Sequence, residues 1–222
     1  MASQGPNIGV GMVCIHHVIT RGLGVALDYT TKFAEEGFPN AERRDGFIHY
    51  LRSLASVLHG HHMTEDELAF PGFRAKFPDA PYAVLTGHHG TIAESLVKLN
   101  GLIELYAQNP EQSDLLKDIH KALREIDTVW HRHIALEEEH FTVEKLGLAF
   151  APDEHTAMGR QFSEHTQKLT GPDYMLVPFI LYNLAPDERA LMAGMMPPVL
   201  TERLVPVDWK EKWSPMQPFF LS

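Results

Sequence analysis

Cysteine and basic residues are scarce in this chain. Cys14 is the only cysteine among 222 residues, which excludes an intrachain disulfide and a cysteine-rich zinc or iron–sulfur site. A single thiol is typical of a protein from a reducing compartment. Lys and Arg number 19 against 29 Asp and Glu, so the formal net charge is −10 at neutral pH. This charge predicts no extended nucleic-acid surface.

Long apolar runs and catalytic loop motifs are also missing. The longest apolar stretch, 174–184, contains Pro178 and Asn183 and is too short to span a bilayer. The first nine residues place no basic segment before an apolar one, so we expect neither a secretory signal nor a membrane partner. We find no β-type alternation, nucleophile-elbow motif or glycine-rich phosphate loop. These absences predict a soluble, cytoplasmic, helical protein.

Histidine is abundant: 12 of the 14 histidines lie between His16 and His140. One pattern occurs twice, a lone histidine followed 44 or 45 residues later by a His-x-x-x-Glu pair. Its members are His16, His61 and Glu65 in the first copy and His89, His133 and Glu137 in the second. Positions i and i+4 of an α-helix lie on one face about 6 Å apart, so each pair can hold one metal ion. Two facing copies predict a dinuclear site.

The turn signals support this pairing. In each half, the strongest turn signal lies midway between the lone histidine and the pair, at residues 37–40 in the first copy and 109–111 in the second. In an antiparallel helix hairpin, residues equidistant from the turn lie at the same height. We therefore expect each lone histidine to meet the pair of its own half.

The apolar rhythm predicts an all-α fold, an up-down-up-down antiparallel four-helix bundle with its metal ligands in the core. The four helices are expected at about 9–36, 41–69, 81–107 and 110–146, the last one capped by Asn109. The inward positions of the third and fourth helices are His89, Ile92, Leu96, Leu99 and Ile103, then Leu116, Ile119, Leu123, Ile126, Trp130, His133 and Glu137. Phe70, Phe73 and Phe77, near the link between the second and third helices, are expected to help cover the site.

The character of the chain changes after Gly147. Pro152 is expected to open a helix to about 169, and Pro186 another; beyond Met192 the sequence is rich in Met, Pro and aromatic residues. We divide the chain into a metal-binding bundle, 1–147, and a C-terminal helical extension, 148–222, packed on the bundle. A lid or pocket wall near the metals is the alternative role for the extension.

The six candidate ligands form a set of carboxylates and imidazoles that suits non-haem iron best, with manganese and zinc chemically allowed. We expect His16 and His61 on one ion, His89 and His133 on the other, and Glu65 and Glu137 bridging both. Each ion then keeps open positions where dioxygen, peroxide, nitric oxide or water could bind.

For residues adjacent to the candidate ligands, the sequence leaves more than one role open. The apolar rhythm favours His16 over His17 and His89 over His88 as the inward residue. His62 is either a solvated neighbour of His61 or a group near the metal. Glu138 and Glu139 are expected to be solvated or to lie just outside the ligands. The six remaining candidates are expected to be surface or core histidines: His49, His59, His120, His131, His155 and His165. The ferritin-like Glu-x-x-His of residues 137–140 has no second copy.

Four motifs in order resemble the hemerythrin-like HHE cation-binding domain family. They are CIHHVI at 14–19, HGHHMTEDELAFP at 59–71, GHHGTI at 87–92 and HIALEEE at 133–139, within about residues 10–147. The resemblance implies a four-helix bundle holding two carboxylate-bridged iron ions. Oxygen-carrying members have a further histidine where this chain has Ala93, and an aspartate five residues after the last histidine, whereas Glu137 comes after four. The resemblance therefore favours redox turnover over reversible oxygen carriage.

Three functions are compatible with this resemblance. The first is binding or reduction of a small oxidant, namely dioxygen, peroxide or nitric oxide. The second is oxidation of a small organic substrate at a pocket lined by residues 174–220. The third is metal storage or sensing without turnover, so the sequence leaves open whether the chain is an enzyme. No reductase segment is recognisable, and an enzyme would need an external electron donor.

Overall fold

The computed structural model describes residues 7–221, in which every regular element is a helix and no strand is formed. The first six residues, part of the segment in which we looked for a secretory signal, lie outside this range. The four longest helices are α1 (Ile8–Glu36), α2 (Ala41–Thr64), α4 (Tyr82–Gln108) and α5 (Asp114–His140), and the short α3 (Phe70–Phe73) follows α2. The all-helical prediction is confirmed.

Side-chain caps fix the first turn. The Asn7 side chain accepts a hydrogen bond from the backbone of Gly9 and begins α1. Gly37, at φ 73°, ends α1 in a conformation that only glycine adopts easily. Asn40 then accepts a hydrogen bond from the backbone N–H of Arg43 at 2.8 Å and begins α2. The predicted turn at 37–40 is therefore confirmed.

The helical course of the chain continues beyond Thr64, the last residue of α2. A π-helical turn, Glu65–Ala69, continues it into α3. The expected single helix at 41–69 thus contains one widened turn. This turn begins at Glu65, a candidate ligand.

The prediction of an Asn109 cap was wrong. Asn109 ends α4, and its side-chain amide donates to the carbonyl of Leu105 at 3.0 Å. The Leu105 carbonyl also accepts the Asn109 backbone N–H at 3.0 Å, so both groups of Asn109 close α4 and its side chain does not open α5. The next helix begins only at Asp114.

The fourth helix is also shorter than predicted. It ends at His140, and the hydroxyl of Thr142 accepts a hydrogen bond from the Lys145 backbone at 3.1 Å to begin α6, Val143–Ala149. A capping threonine satisfies the N–H groups of a new helix and therefore divides the expected continuous helix in two. The proposed domain boundary at residue 147 falls inside α6.

The long helices share one core. Helix α5 packs against α1 and α4, and α2 also contacts both of those helices. All twelve predicted inward positions of α4 and α5 are buried. The largest fully buried side chains include Trp130, Tyr50 and Tyr106.

The C-terminal extension is folded against α2. It consists of α7 (Pro152–Leu169), α8 (Asp173–Tyr182), α9 (Pro186–Gly194), a π-helical segment (Leu200–Asp208), α10 (Lys210–Trp213) and a 3-10 helix (Ser214–Phe219). Tyr50 of α2 donates to the Asn183 side chain at 2.7 Å, and Phe179 and Phe219 are fully buried in the common core. The predicted helix starts at Pro152 and Pro186 are confirmed.

Helix α1 is long and apolar enough to cross a membrane, with a mean hydropathy of 1.5 over its most apolar 18 residues. Of that window, 44% is buried inside the structure. The helix packs against α2 and α5, and buried helices of a bundle meet the same criterion of length and composition.

Candidate metal centre

Four helices bring the six predicted ligands together in the core. The first ligand group consists of His16, His61, Glu65 and Glu137, whose ligand atoms lie within 4.8 Å of one another. The second ligand group consists of Glu65, His89 and His133, within the same distance. Glu65 belongs to both groups, so the arrangement can hold two cations side by side.

Each lone histidine meets its own half, as expected. The rings of His16 and His61 are 5.2 Å apart, and the Nε2 atoms of His89 and His133 are 3.3 Å apart. The glutamate contacts cross between the halves. Nε2 of His16 lies 3.1 Å from Glu137, and Nε2 of His89 lies 3.2 Å from Glu65. Both glutamates therefore lie between ligands from the two copies of the pattern.

The π-helical turn places Glu65. The backbone N–H of Phe70 reaches the carbonyl of Glu65, five residues back, so this turn holds one residue more than an α-helical turn. Single-turn π-bulges occur frequently at functional sites. Nothing in the local sequence signals this turn, because helix propensity and apolar rhythm barely distinguish one extra residue.

Most of the ligand atoms fit a cation because they have no hydrogen-bond partner in the part of the chain that the structure describes. Both carboxylate oxygens of Glu65 and of Glu137 are buried and accept no hydrogen bond from the described residues. The Nε2 atoms of His16 and His61 lie 3.1 Å from a carboxylate oxygen, yet neither is aligned as a hydrogen bond. Burying carboxylates in this way is costly unless a positive charge compensates them. Ions held between these atoms would supply that charge.

Without a metal, protons carry the compensating charge. Burial opposes protonation of His16, but the adjacent carboxylates of Glu137 and Glu138 outweigh it and raise the pKa of His16 to about 10. Burial likewise opposes protonation of His133, and Glu137 and Glu65 raise its pKa to about 9. Burial dominates at His61, whose pKa falls to about 4. Two imidazolium groups thus balance two carboxylates.

The pKa values of the two glutamates shift in the opposite direction and are lowered. Burial opposes ionisation of Glu65, but the nearby His61, His133 and His89 outweigh it and hold the pKa of Glu65 well below its usual range. The carboxylates are therefore ionised at neutral pH and available to a cation.

Aromatic side chains close the site. Phe70 stacks on the His89 ring, with centroids 5.5 Å apart, and both Phe70 and Phe73 are buried. Trp130 lies within 6 Å of the rings of four histidines and donates its N–H to the Thr20 hydroxyl at 2.9 Å. These contacts exclude water from one side of the ligand groups. The contribution of Phe70 agrees with the sequence expectation, whereas the position of Trp130 among the ligands was not anticipated.

The two members of each histidine doublet differ in burial. His16 and His89 are buried, His17 is exposed and faces Glu188, and His88 is half-buried. His62 is buried, its ring stacks on that of His89 at 4.2 Å, and its Nε2 has no hydrogen-bond partner among the described residues. His62 also shares a possible metal-binding group with His61 and His133. The alternative of a solvated His62 was therefore wrong.

Two carboxylates lie directly outside the ligands. The ring of His16 is hydrogen-bonded through Nδ1 to Glu138 at 2.8 Å. Nδ1 of His89 lies 2.9 Å from Asp66. Of the two possibilities left open for Glu138, contact with a ligand is the one observed. Asp66 was missed, although a signal existed: an acidic residue directly follows the glutamate of each pair.

Two cavities lie far from the ligands. Their volumes are about 340 and 370 Å³, and both border Phe33, Gly37 and Phe38. At 1.5 Å per residue, Phe33 is about 25 Å along α1 from His16. The contact of the extension with Tyr50 is about 16 Å along α2 from His61. These features place neither cavity nor the Asn183 contact beside the candidate ligands.

Comparison with known protein families shows what this chain is similar to. The family model described as the hemerythrin HHE cation binding domain matches residues 13–144. No curated protein and no solved structure matches the chain. The matched segment contains all six predicted ligands and ends before α7.

Proposed function

Because the chain belongs to the hemerythrin HHE cation-binding domain family, we propose that it is a non-haem diiron protein that binds or reduces dioxygen, peroxide or nitric oxide. The observation that carries this proposal is the pair of buried ligand groups joined by Glu65. Bound iron would supply redox chemistry and open coordination positions to a small oxidant.

The ligand assignment follows the distances. We assign His16 and His61 to one ion and His89 and His133 to the other, with Glu65 and Glu137 shared. The carboxylate and imidazole set suits iron best, and manganese and zinc are compatible with the same donors. The contacts of His16 with His61 and of His89 with His133 support an up-down-up-down course for α1, α2, α4 and α5.

Residues of this chain would orient the site and limit its access to water. Phe70 and Trp130 cover the histidine rings, and the buried carboxylates of Glu65 and Glu137 would bind the ions from between the two halves. We assign His62 as a further imidazole facing the metals, since the residue is buried there and its Nε2 has no hydrogen-bond partner within residues 7–221. It comes from α2, whereas oxygen-carrying relatives of the family use a second histidine at the position of Ala93.

The departure at Ala93 supports oxidant reduction over reversible carriage. An oxidase that acts on an organic substrate would need an apolar cavity at the ligands, and the two cavities described above lie at the other end of α1. These two cavities therefore lend no support to an organic substrate. A reductive reaction would draw electrons from an external donor.

Metal content and the visible spectrum of the full chain test the ligand assignment. We expect about two irons per chain in the wild type, with oxo-bridge charge-transfer bands after exposure to air. His61→Ala and Glu137→Ala should each lower the iron content, because each removes a proposed ligand. His131→Ala, an exposed position on the same helix as His133, is the matched control and should keep both irons. Full iron in His61→Ala or Glu137→Ala would disprove the assignment.

His62→Ala belongs in the same series. We expect it to change the iron spectrum while the chain remains folded, whereas an unchanged spectrum would remove His62 from the ligand assignment. Steady-state consumption of peroxide, oxygen or nitric oxide with an added electron donor then separates turnover from storage. A storage or sensing protein would bind two irons and consume none of the three.

A further inference from the structure

Each histidine–glutamate pair ends in the first residue of an acidic triplet, and the two triplets have parallel roles. They are Glu65, Asp66 and Glu67 in the first copy and Glu137, Glu138 and Glu139 in the second. The first member of each triplet lies between the ligand groups, and the second lies against a lone histidine of the opposite copy. The third points elsewhere: Glu67 pairs with His165 on α7, and Glu139 is exposed.

The second members contact the ring nitrogens that face away from the ligand groups. Nδ1 of His16 is hydrogen-bonded to Glu138 at 2.8 Å, while Nε2 of the same ring faces Glu137 at 3.1 Å. Nδ1 of His89 lies 2.9 Å from Asp66, although it is not aligned as a hydrogen bond, while Nε2 faces Glu65 at 3.2 Å. Asp66 is held in place by the Thr86 hydroxyl, which donates to it at 3.1 Å.

This geometry decides which nitrogen can bind a cation. A neutral imidazole carries one N–H, and a carboxylate beside Nδ1 keeps the proton there and leaves the lone pair of Nε2 free. A metal-bound histidine whose other nitrogen donates to a carboxylate is also held in orientation and becomes a more basic ligand. Since the carboxylate of each pair and the acid that follows it are adjacent in one helix, the two contacts are set by a single backbone segment.

We propose that Glu138 and Asp66 are positioning residues of the metal centre, each holding the lone histidine of the opposite copy with Nε2 toward the ions. This inference rests on the proposed metal site. It explains why the two rings, only 1% and 4% exposed, each have a partly exposed acid reaching inward to them. It also ties the two halves together, because the helix that supplies one shared glutamate orients a histidine of the other half.

Zinc binding to the full chain tests this proposal, since zinc is diamagnetic and accepts the same ligands. Zinc affinity would be measured by competition with a chelator, and ring N–H resonances by NMR of the zinc-loaded protein. We expect Glu138→Gln and Asp66→Asn each to weaken zinc binding about tenfold, the lower end for such contacts because both acids are partly exposed. The ring N–H resonance of His16 should move upfield in Glu138→Gln, because the amide oxygen is a weaker acceptor than the carboxylate.

The chain offers matched controls one position further on. Glu139→Gln and Glu67→Gln remove the same charge without touching a lone histidine, and they should leave the zinc affinity and the His16 resonance unchanged. Equal weakening by Glu138→Gln and Glu139→Gln would reduce the effect to net charge and overturn the positioning role. Wild-type affinity in both Glu138→Gln and Asp66→Asn would overturn it too, while leaving the metal site intact. A wild-type chain that binds neither zinc nor iron would overturn the metal site itself, together with the positioning role.

Discussion

At the residue scale, protons and metal ions compete for the same nitrogens. In the metal-free protein, burial opposes protonation of His16. The carboxylates of Glu137 and Glu138 favour it more strongly, and the pKa of His16 rises from 6.5 to about 10. The pKa of His133 is raised from 6.5 to about 9 in the same way: burial opposes protonation, and Glu137 and Glu65 outweigh it. A group whose pKa is higher in the folded than in the unfolded chain stabilises the fold fully below the unfolded pKa, here 6.5, and loses that effect as pH rises through the folded value.

This competition predicts a pH effect on stability. The melting temperature of the metal-free chain should fall as pH rises from about 6.5 to about 10, because the folded state loses its two extra protons in that window. Zinc or iron should flatten this slope, since a bound ion replaces the protons as the compensating charge. Thermal unfolding across this pH range, with and without metal, measures the effect.

A neighbouring histidine provides the control for this pH effect. His16→Gln should reduce the slope of the metal-free chain, whereas His17→Gln, at an exposed position, should retain it. An identical slope in the two variants would contradict the role given to His16.

At the scale of single elements, Gly46 of α2 and Gly101 of α4 have different structural roles. A Cβ atom at Gly46 in α2 would lie 2.0 Å from the backbone oxygen of Pro215 in the C-terminal extension, so a side chain there forces the two segments apart. A Cβ atom at Gly101 in α4 would meet nothing within 4 Å. One glycine permits close packing, and the other only weakens its helix.

Alanine at each position separates these cases. Gly46→Ala should destabilise the fold by about 1–3 kcal/mol, as overpacking does. Gly101→Ala should stabilise it by about 0.5–1 kcal/mol, because alanine favours the helix more than glycine. Denaturant unfolding of both variants checks the signs. A neutral Gly46→Ala would mean that the extension does not press on α2 at this point.

At the scale of the whole molecule, the extension completes the core that surrounds α2. Phe179 and Phe219 are fully buried, and Tyr50 of α2 is hydrogen-bonded to Asn183. Helix α7 also reaches the end of α2 that carries the ligands: Thr166 is hydrogen-bonded to Thr64 at 3.0 Å. The segment that matches the family model therefore shares its interior with residues outside the match.

Shortening the chain after Ala149 tests this dependence. The truncated chain keeps all six proposed ligands but uncovers the apolar face of α2, and each phenylalanine lost from the core contributes about 1.5–3 kcal/mol. We expect a loss of more than about 5 kcal/mol, seen as a lower melting temperature and stronger binding of a hydrophobic dye. A truncated chain that melts like the full chain would show that the bundle is stable without the extension.

The sequence by itself determined the helical class, the inward faces of α4 and α5, the turn at 37–40 and the residues that meet in the core. These features could be predicted because they rest on spacing within one helix or across one hairpin: His61 and Glu65 share a face whatever surrounds them. Helix ends were harder to predict, because an asparagine between two helices, such as Asn109, can close the first or open the second.

Only the tertiary structure decided how the two copies join. The contacts of His16 with Glu137 and Glu138, and of His89 with Asp66, depend on how the helices rotate and cross, which spacing along a single helix does not specify. The π-helical turn at Glu65 and the packing of the extension on α2 are likewise set by contacts between segments distant in sequence. The sequence thus determined which residues reach the centre, and the packing of the helices determined which nitrogen and which oxygen face one another there.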